Sequence, residues 1–97
     1  MQDFIFLMHN DAPTPPRPEM WPPYFAALNA LGVFDGGSAI GGGEAFRKDA
    51  SPAPLTTALG GYIRVRANSL KAVRALLAGN PVYECGGTVE IRQLPRG

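Results

Sequence analysis

The chain contains one cysteine, Cys85, and one histidine, His9, in 97 residues. A lone cysteine excludes an intramolecular disulfide and a thiolate-only metal site, and it suits a reducing compartment. Together the two residues fall short of the three or four protein ligands that zinc takes, so neither a metal site nor a resident cofactor is expected. No sign of charge dominates either: nine Lys and Arg face eight Asp and Glu, for a net charge of +1. The basic residues are scattered, which argues against the stripe that neutralises a row of nucleic-acid phosphates. No run is apolar over the ~20 residues of a membrane span, and the opening Met-Gln-Asp is not a basic segment leading into a long apolar one. These absences lead to the expectation of a cytoplasmic protein with neither nucleic acid nor membrane as its partner.

Glycine and proline are plentiful, at 12 and 10 residues, and point to short regular elements joined by stiff, sharply turning loops. A chain of this length makes a single domain, 1–97, and on folding it buries only about 60 to 70 per cent of its unfolded surface. A second subunit would enlarge its core.

Periodicity divides the chain into six elements. DFIFLMH (3–9) is aromatic and branched, too short before the prolines for a helix, and predicts a first strand with Phe4, Phe6 and Met8 on one face and Ile5, Leu7 and His9 on the other. Prolines then lead into YFAALNALG, where Tyr24, Leu28 and Leu31 recur at helical spacing and Gly32 supplies the stop. A second strand is expected near Ser38 to Glu44, weakened by its glycines, and the Ser, Pro and Ala content of RKDASPAPLTTA marks a loop. GYIRVRA alternates Tyr62, Arg64 and Arg66 against Ile63, Val65 and Ala67, a third strand. NSLKAVRALLAG predicts a helix capped by Asn68 or Ser69, with Leu70, Val73, Leu76 and Leu77 on one face and Gly79 at its end. GGTVEIRQL alternates Val89, Ile91 and Gln93 against Thr88, Glu90, Arg92 and Leu94, a fourth strand.

The order βαββαβ is that of an α+β, ferredoxin-like fold: a four-stranded antiparallel sheet of order 4-1-3-2 with two helices on one face. Strand one carries apolar side chains on both faces, so the uncovered face needs a cover, and a second copy packed sheet against sheet is the simplest. A homodimer is therefore expected.

Four passages carry a family resemblance: the opening FIFLMHND, the run YFAALNALGVFDGGSAIGGGEAF, LGGYIRV with NSLKAVRALLAGNP, and the closing GGTVEIRQL. On these the chain resembles the YCII-related, or DGPF-type, family of the dimeric α+β barrel superfamily. It departs from that pattern where DASPAPLTTALGG replaces the DGPF hairpin, and where Met20 and Trp21 stand in place of a histidine found in relatives at the start of helix one. The resemblance implies the barrel fold and the dimer. For activity it implies a choice among isomerases, dechlorinating enzymes, monooxygenases and binding modules, and the DGPF-type relatives that resemble companions of alternative sigma factors add a regulatory role.

In such a sheet the end of strand one lies beside the starts of strands three and four, which gathers His9, Asn10 and Asp11 near Gly60, Gly61 and Tyr62 and near the ECGG segment. A pocket for a small, partly apolar or carboxylate-bearing molecule is expected there. His9 is the candidate acid-base, since imidazole exchanges a proton near neutral pH, and Asp11 is its candidate orienting partner. The plainer reading has His9 ending a strand and Asp11 solvating a loop. Such chemistry would be cofactor-free proton transfer of isomerase or lyase type; the alternative is a noncatalytic binding or regulatory module.

Trp21 is expected as an aromatic flap, with Tyr62, Arg64 and Arg92 as ligand-binding residues of the polar strand face, Arg92 left free to hold an anion. The plainer alternative pairs Arg64 or Arg66 with Glu90. Cys85 reads as a buried thiol or as a nucleophile with His9 as base. GGSAIGGGE has neither the Walker lysine nor a Rossmann GxGxxG between strand and helix, so it is no phosphate loop.

Overall fold

The computed structural model describes residues 1–49 and 52–96, with strands β1 (Gln2–His9), β2 (Phe34–Ala39), β3 (Leu59–Ala67) and β4 (Val89–Leu94). Its helices are α1 (Trp21–Ala30), α2 (Leu70–Ala75) and α3 (Pro81–Glu84), and a 3-10 turn at Pro18–Met20 leads into α1. The class is α+β. The four strands form one antiparallel sheet in the order β2-β3-β1-β4. No helix among the described residues is long and apolar enough to cross a membrane.

Strand parity decides which face is buried. Phe4, Phe6 and Met8 of β1 and Ile63, Val65 and Ala67 of β3 join Tyr24 and Leu28 of α1, Val73 of α2 and Val82 of α3 in one core. All three helices thus pack on the same side of the sheet. The opposite parity, Asp3, Ile5, Leu7 and His9 with Tyr62, Arg64, Arg66, Glu90, Arg92 and Leu94, forms an open face on which no residue is fully buried.

Local chemistry sets the boundaries. Helix α1 ends in a Schellman motif: the Val33 N–H donates to the Leu28 carbonyl at 3.2 Å and the Gly32 N–H to that of Asn29 at 3.0 Å. Gly32 has φ +70, where a side chain would be strained. Leu31, expected on the buried face, sits at this terminus and is 65% exposed. At α2 the Ser69 hydroxyl accepts from the Ala72 N–H at 3.1 Å, the N-cap anticipated from sequence.

Three boundaries differ from those expected. Strand β2 lies earlier than 38–44, because Phe34 reaches the core beside Val65 while Gly41, Gly42 and Gly43 have no side chains to hold the chain on the sheet. The second helix stops at Ala75 instead of continuing to Gly79, and Leu70, at its exposed start, is 57% accessible. The chain then reverses through Gly79, at φ +87, and starts α3, a turn of helix that the sequence reading passed over. Its N-cap is Asn80, fully buried, whose Oδ1 accepts from the Tyr83 N–H at 3.1 Å. The loop expected at 47–58 includes residues 50–51, which lie outside the described residues.

Candidate functional site

The end of β1 is held between two neighbours. The His9 N–H donates to the Thr88 carbonyl at 2.9 Å, and the Asn10 N–H to the Ala58 carbonyl at 2.8 Å. The β1–β3 register slips between Met8 and His9, so the chain turns as it leaves the sheet. The three segments expected to converge here do so.

Their side chains pair differently from the expectation. His9 Nε2 lies 2.7 Å from Oε2 of Glu90, not against Asp11. Leu7 is opposite Glu90 in the β1–β4 ladder, so His9, two residues on, has Glu90 as its diagonal neighbour on the open face. Asp11 has turned away: Oδ1 accepts from the Thr88 N–H at 2.8 Å and Oδ2 from the Thr88 hydroxyl at 2.6 Å. Those two bonds, the hydroxyl's foremost, hold the Asp11 carboxyl below its usual range. Asp11 therefore ties the end of β1 to the start of β4.

The arginines also part from the expected arrangement. Arg92 is not free; its guanidinium lies 3.7 Å from Glu90 Oε1, and Arg64 lies 3.9 Å from Asp35 Oδ2. Since β1 stands between β3 and β4, two strand spacings, about 9 to 10 Å, separate Arg64 from Glu90 across the sheet. Both pairs are well exposed and contribute little to stability. The Cys85 thiol is free and half-buried, in the turn after α3.

A cavity of about 620 Å³ opens at this end of the molecule, bordered by His9, Asn10, Ser38 and Tyr62 and roofed by Trp21, Phe25 and Phe34. The pocket expected at the His9 end is on the helix side of the sheet, away from the polar strand face that was to supply Arg64 and Arg92. Its origin is legible in the register. On the core-facing parity Met8 is opposite Gly61, Gly61 opposite Ala39, and Ile63 opposite Gly37. Three of the positions that would fill the space under α1 thus hold no more than a methyl group. A Cβ at Gly61 would meet the Ser38 carbonyl at 3.2 Å and the Met8 methyl at 3.3 Å.

Across the gap, the Trp21 ring stacks on Phe25 with centroids 5.6 Å apart, and Phe25 tilts against Phe34 at 5.1 Å. These three rings make one continuous wall. Of the residues singled out from sequence, Trp21, Tyr62 and His9 border the cavity, whereas Arg64 and Arg92 lie on the open face and Asp11 at the β1–β4 junction. Gly61, expected near the end of strand one, also borders the cavity, whereas Phe25, Phe34 and Gly37 were not legible as site residues, because only the strand register sets Gly37 beneath the rings. Among the described residues no group of three His, Cys, Asp or Glu side chains is placed to hold a metal ion.

No protein-family model matches the chain, and no curated protein matches it.

Proposed function

We propose that the chain binds a small, partly apolar molecule in the cavity beneath Trp21, and that it works as a homodimer of the dimeric α+β barrel type, with the ferredoxin-like arrangement and YCII-related resemblance read from its sequence. The observation that carries the binding role is the cavity itself: its volume falls in the range of small-molecule sites, and its lining is mainly apolar and aromatic, with His9, Asn10, Ser38 and Tyr62 as its few polar residues.

The dimer is supported by the open sheet face. Ile5, Leu7 and Leu94 lie there half-exposed among charges of both signs, a mixture that can complement itself about a twofold axis. Four strands of this length cover on the order of 500 Å² of flat area, less than the roughly 800 Å² per partner of a standard interface. Contacts from the excursion between β2 and β3 would make up the difference; there Phe46 is 78% exposed.

Where the molecule is chemically altered, His9 is the acid-base at the mouth, and Glu90, instead of Asp11, orients it. A neutral His9 that donates Nε2–H to Glu90 leaves Nδ1 as the base for cofactor-free proton transfer. The commitment of both Asp11 oxygens to Thr88 favours a second reading, a noncatalytic binding or regulatory module.

A native mass spectrum of the gently purified protein tests the assembly and the site together. A dimer with a discrete added mass supports both, and a bare monomer removes the sheet-against-sheet pairing. Once the ligand is in hand, loss of turnover in His9→Ala separates catalysis from binding, and unchanged turnover eliminates His9 as the acid-base.

A further inference from the structure

Building on the cavity's reading as a small-molecule site, we infer that its ligand is an uncharged aromatic compound, and that carboxylates are turned away. The sheet sorts charge from apolar surface. Arg64, Arg66, Arg92, Glu90 and Asp3 all belong to the open face, and among the described residues no Arg, Lys, Asp or Glu borders the cavity. An anion drawn inside would lose its water and gain no counter-charge. His9 does not remedy this, because Glu90 at 2.7 Å already balances whatever positive charge it acquires.

The polar residues at the border bring hydrogen bonds without a fixed charge. The Ser38 hydroxyl donates to the Ala39 carbonyl at 2.9 Å, and the Asn10 amide donates to the Thr57 carbonyl at 3.0 Å. The second Asn10 Nδ2–H and the Tyr62 hydroxyl remain as donors beside the Asn10 Oδ1 acceptor, so the border offers hydrogen bonds of both polarities but no lasting charge. A neutral polar group on the ring can pair there, whereas an ionised carboxylate finds no counter-charge. Inside, the Trp21, Phe25 and Phe34 wall faces strand positions stripped to Gly37, Ala39 and Gly61. A ring can lie against the aromatic wall there without meeting a side chain longer than a methyl at positions 37, 39 and 61.

Trp21 is the sole tryptophan of the chain and borders the cavity, so its fluorescence reports occupancy. The wild-type protein is titrated at pH 7.5 with 3-nitrobenzyl alcohol and, separately, with 3-nitrobenzoate, two quenchers that differ in the neutral or anionic group on the same ring. The expected result is saturable quenching by the alcohol, with Gly37 and Gly61 amide resonances shifting in step, and binding at least tenfold weaker for the carboxylate. Equal saturation by both at those amides overturns the charge selection and leaves the cavity as a binding site. Tighter binding of the carboxylate, with shifts at Arg64 and Arg92, overturns the inference in favour of the open face. Linear, non-saturating quenching by both up to millimolar concentration overturns the cavity reading as well.

Discussion

Replacing Asn80 tests the packing that supports the cavity. Its side chain is fully buried, caps α3 through the Tyr83 N–H, and places Nδ2 3.6 Å from the Met8 sulfur. Val82 of α3 and Met8 of β1 both line the cavity, so Asn80 stands behind its inner wall. In Asn80→Ala the cap is lost, at about 1 kcal/mol. Three heavy atoms also leave a close-packed site; a void of about 30 to 60 Å³, one or two waters' worth, costs about 1 kcal/mol more at roughly 24 cal/mol per Å³. The sum, about 2 kcal/mol, lowers Tm by about 8 to 16 °C in a domain of this size. Circular dichroism melts at fixed protein concentration measure it. Asn80→Asp sharpens the test by keeping the capping oxygen. Burial raises the introduced carboxyl above its unfolded value, so the deficit against wild type is small below the unfolded value, where both states are protonated, and grows as pH rises from there to the folded pKa, above which it is complete. An Asn80→Ala melt within about 2 °C of wild type would refute the account of α3 as a helix held by a buried cap.

Acid should loosen the β1–β4 junction. The Thr88 bonds depress the Asp11 carboxyl, and the Arg96 hydrogen bond depresses that of Asp3. Their contribution is complete above the unfolded carboxylate value and is lost as pH falls through the lower folded values; urea midpoints measured from pH 5 down to pH 2 should fall more steeply for wild type than for Asp11→Asn. Neutral His9 should be the Nε2–H tautomer, donating to Glu90, as read from imidazole ¹⁵N shifts; an Nδ1–H tautomer, or no change on Glu90→Gln, would break the proposed pairing. Leu7→Lys, at the centre of the open face, should convert the proposed dimer to monomer in sedimentation with little change in far-ultraviolet circular dichroism, and a persistent dimer would move the interface elsewhere.

Much of the architecture follows from local sequence. The period-2 alternation of FIFLMH, YIRVRA and TVEIRQL assigns Phe4, Phe6, Ile63, Val65 and Ile91 to one side of the sheet and the arginines with Glu90 to the other, because successive side chains of a strand leave on opposite faces. Gly32 ends α1 because the left-handed conformation there costs glycine little, and Ser69 starts α2 because its hydroxyl reaches a free backbone N–H. Those interactions lie within five residues, so the sequence alone determines them.

The site depends on distances between segments far apart in the chain. His-x-Asp at residues 9 and 11 looks like a pair, yet the register slip at Met8 and His9 sends Asp11 to Thr88 and leaves His9 to Glu90, 81 residues away. Arg64 and Glu90 share a face, but β1 runs between their strands. Gly37 and Ala39 are unremarked small residues, and Gly61 only a glycine at a strand end, until pairing aligns them beneath Trp21 and Phe25. Periodicity states the side on which a residue lies. Which residue lies opposite it, and where the core is left unfilled, is decided when the strands pair.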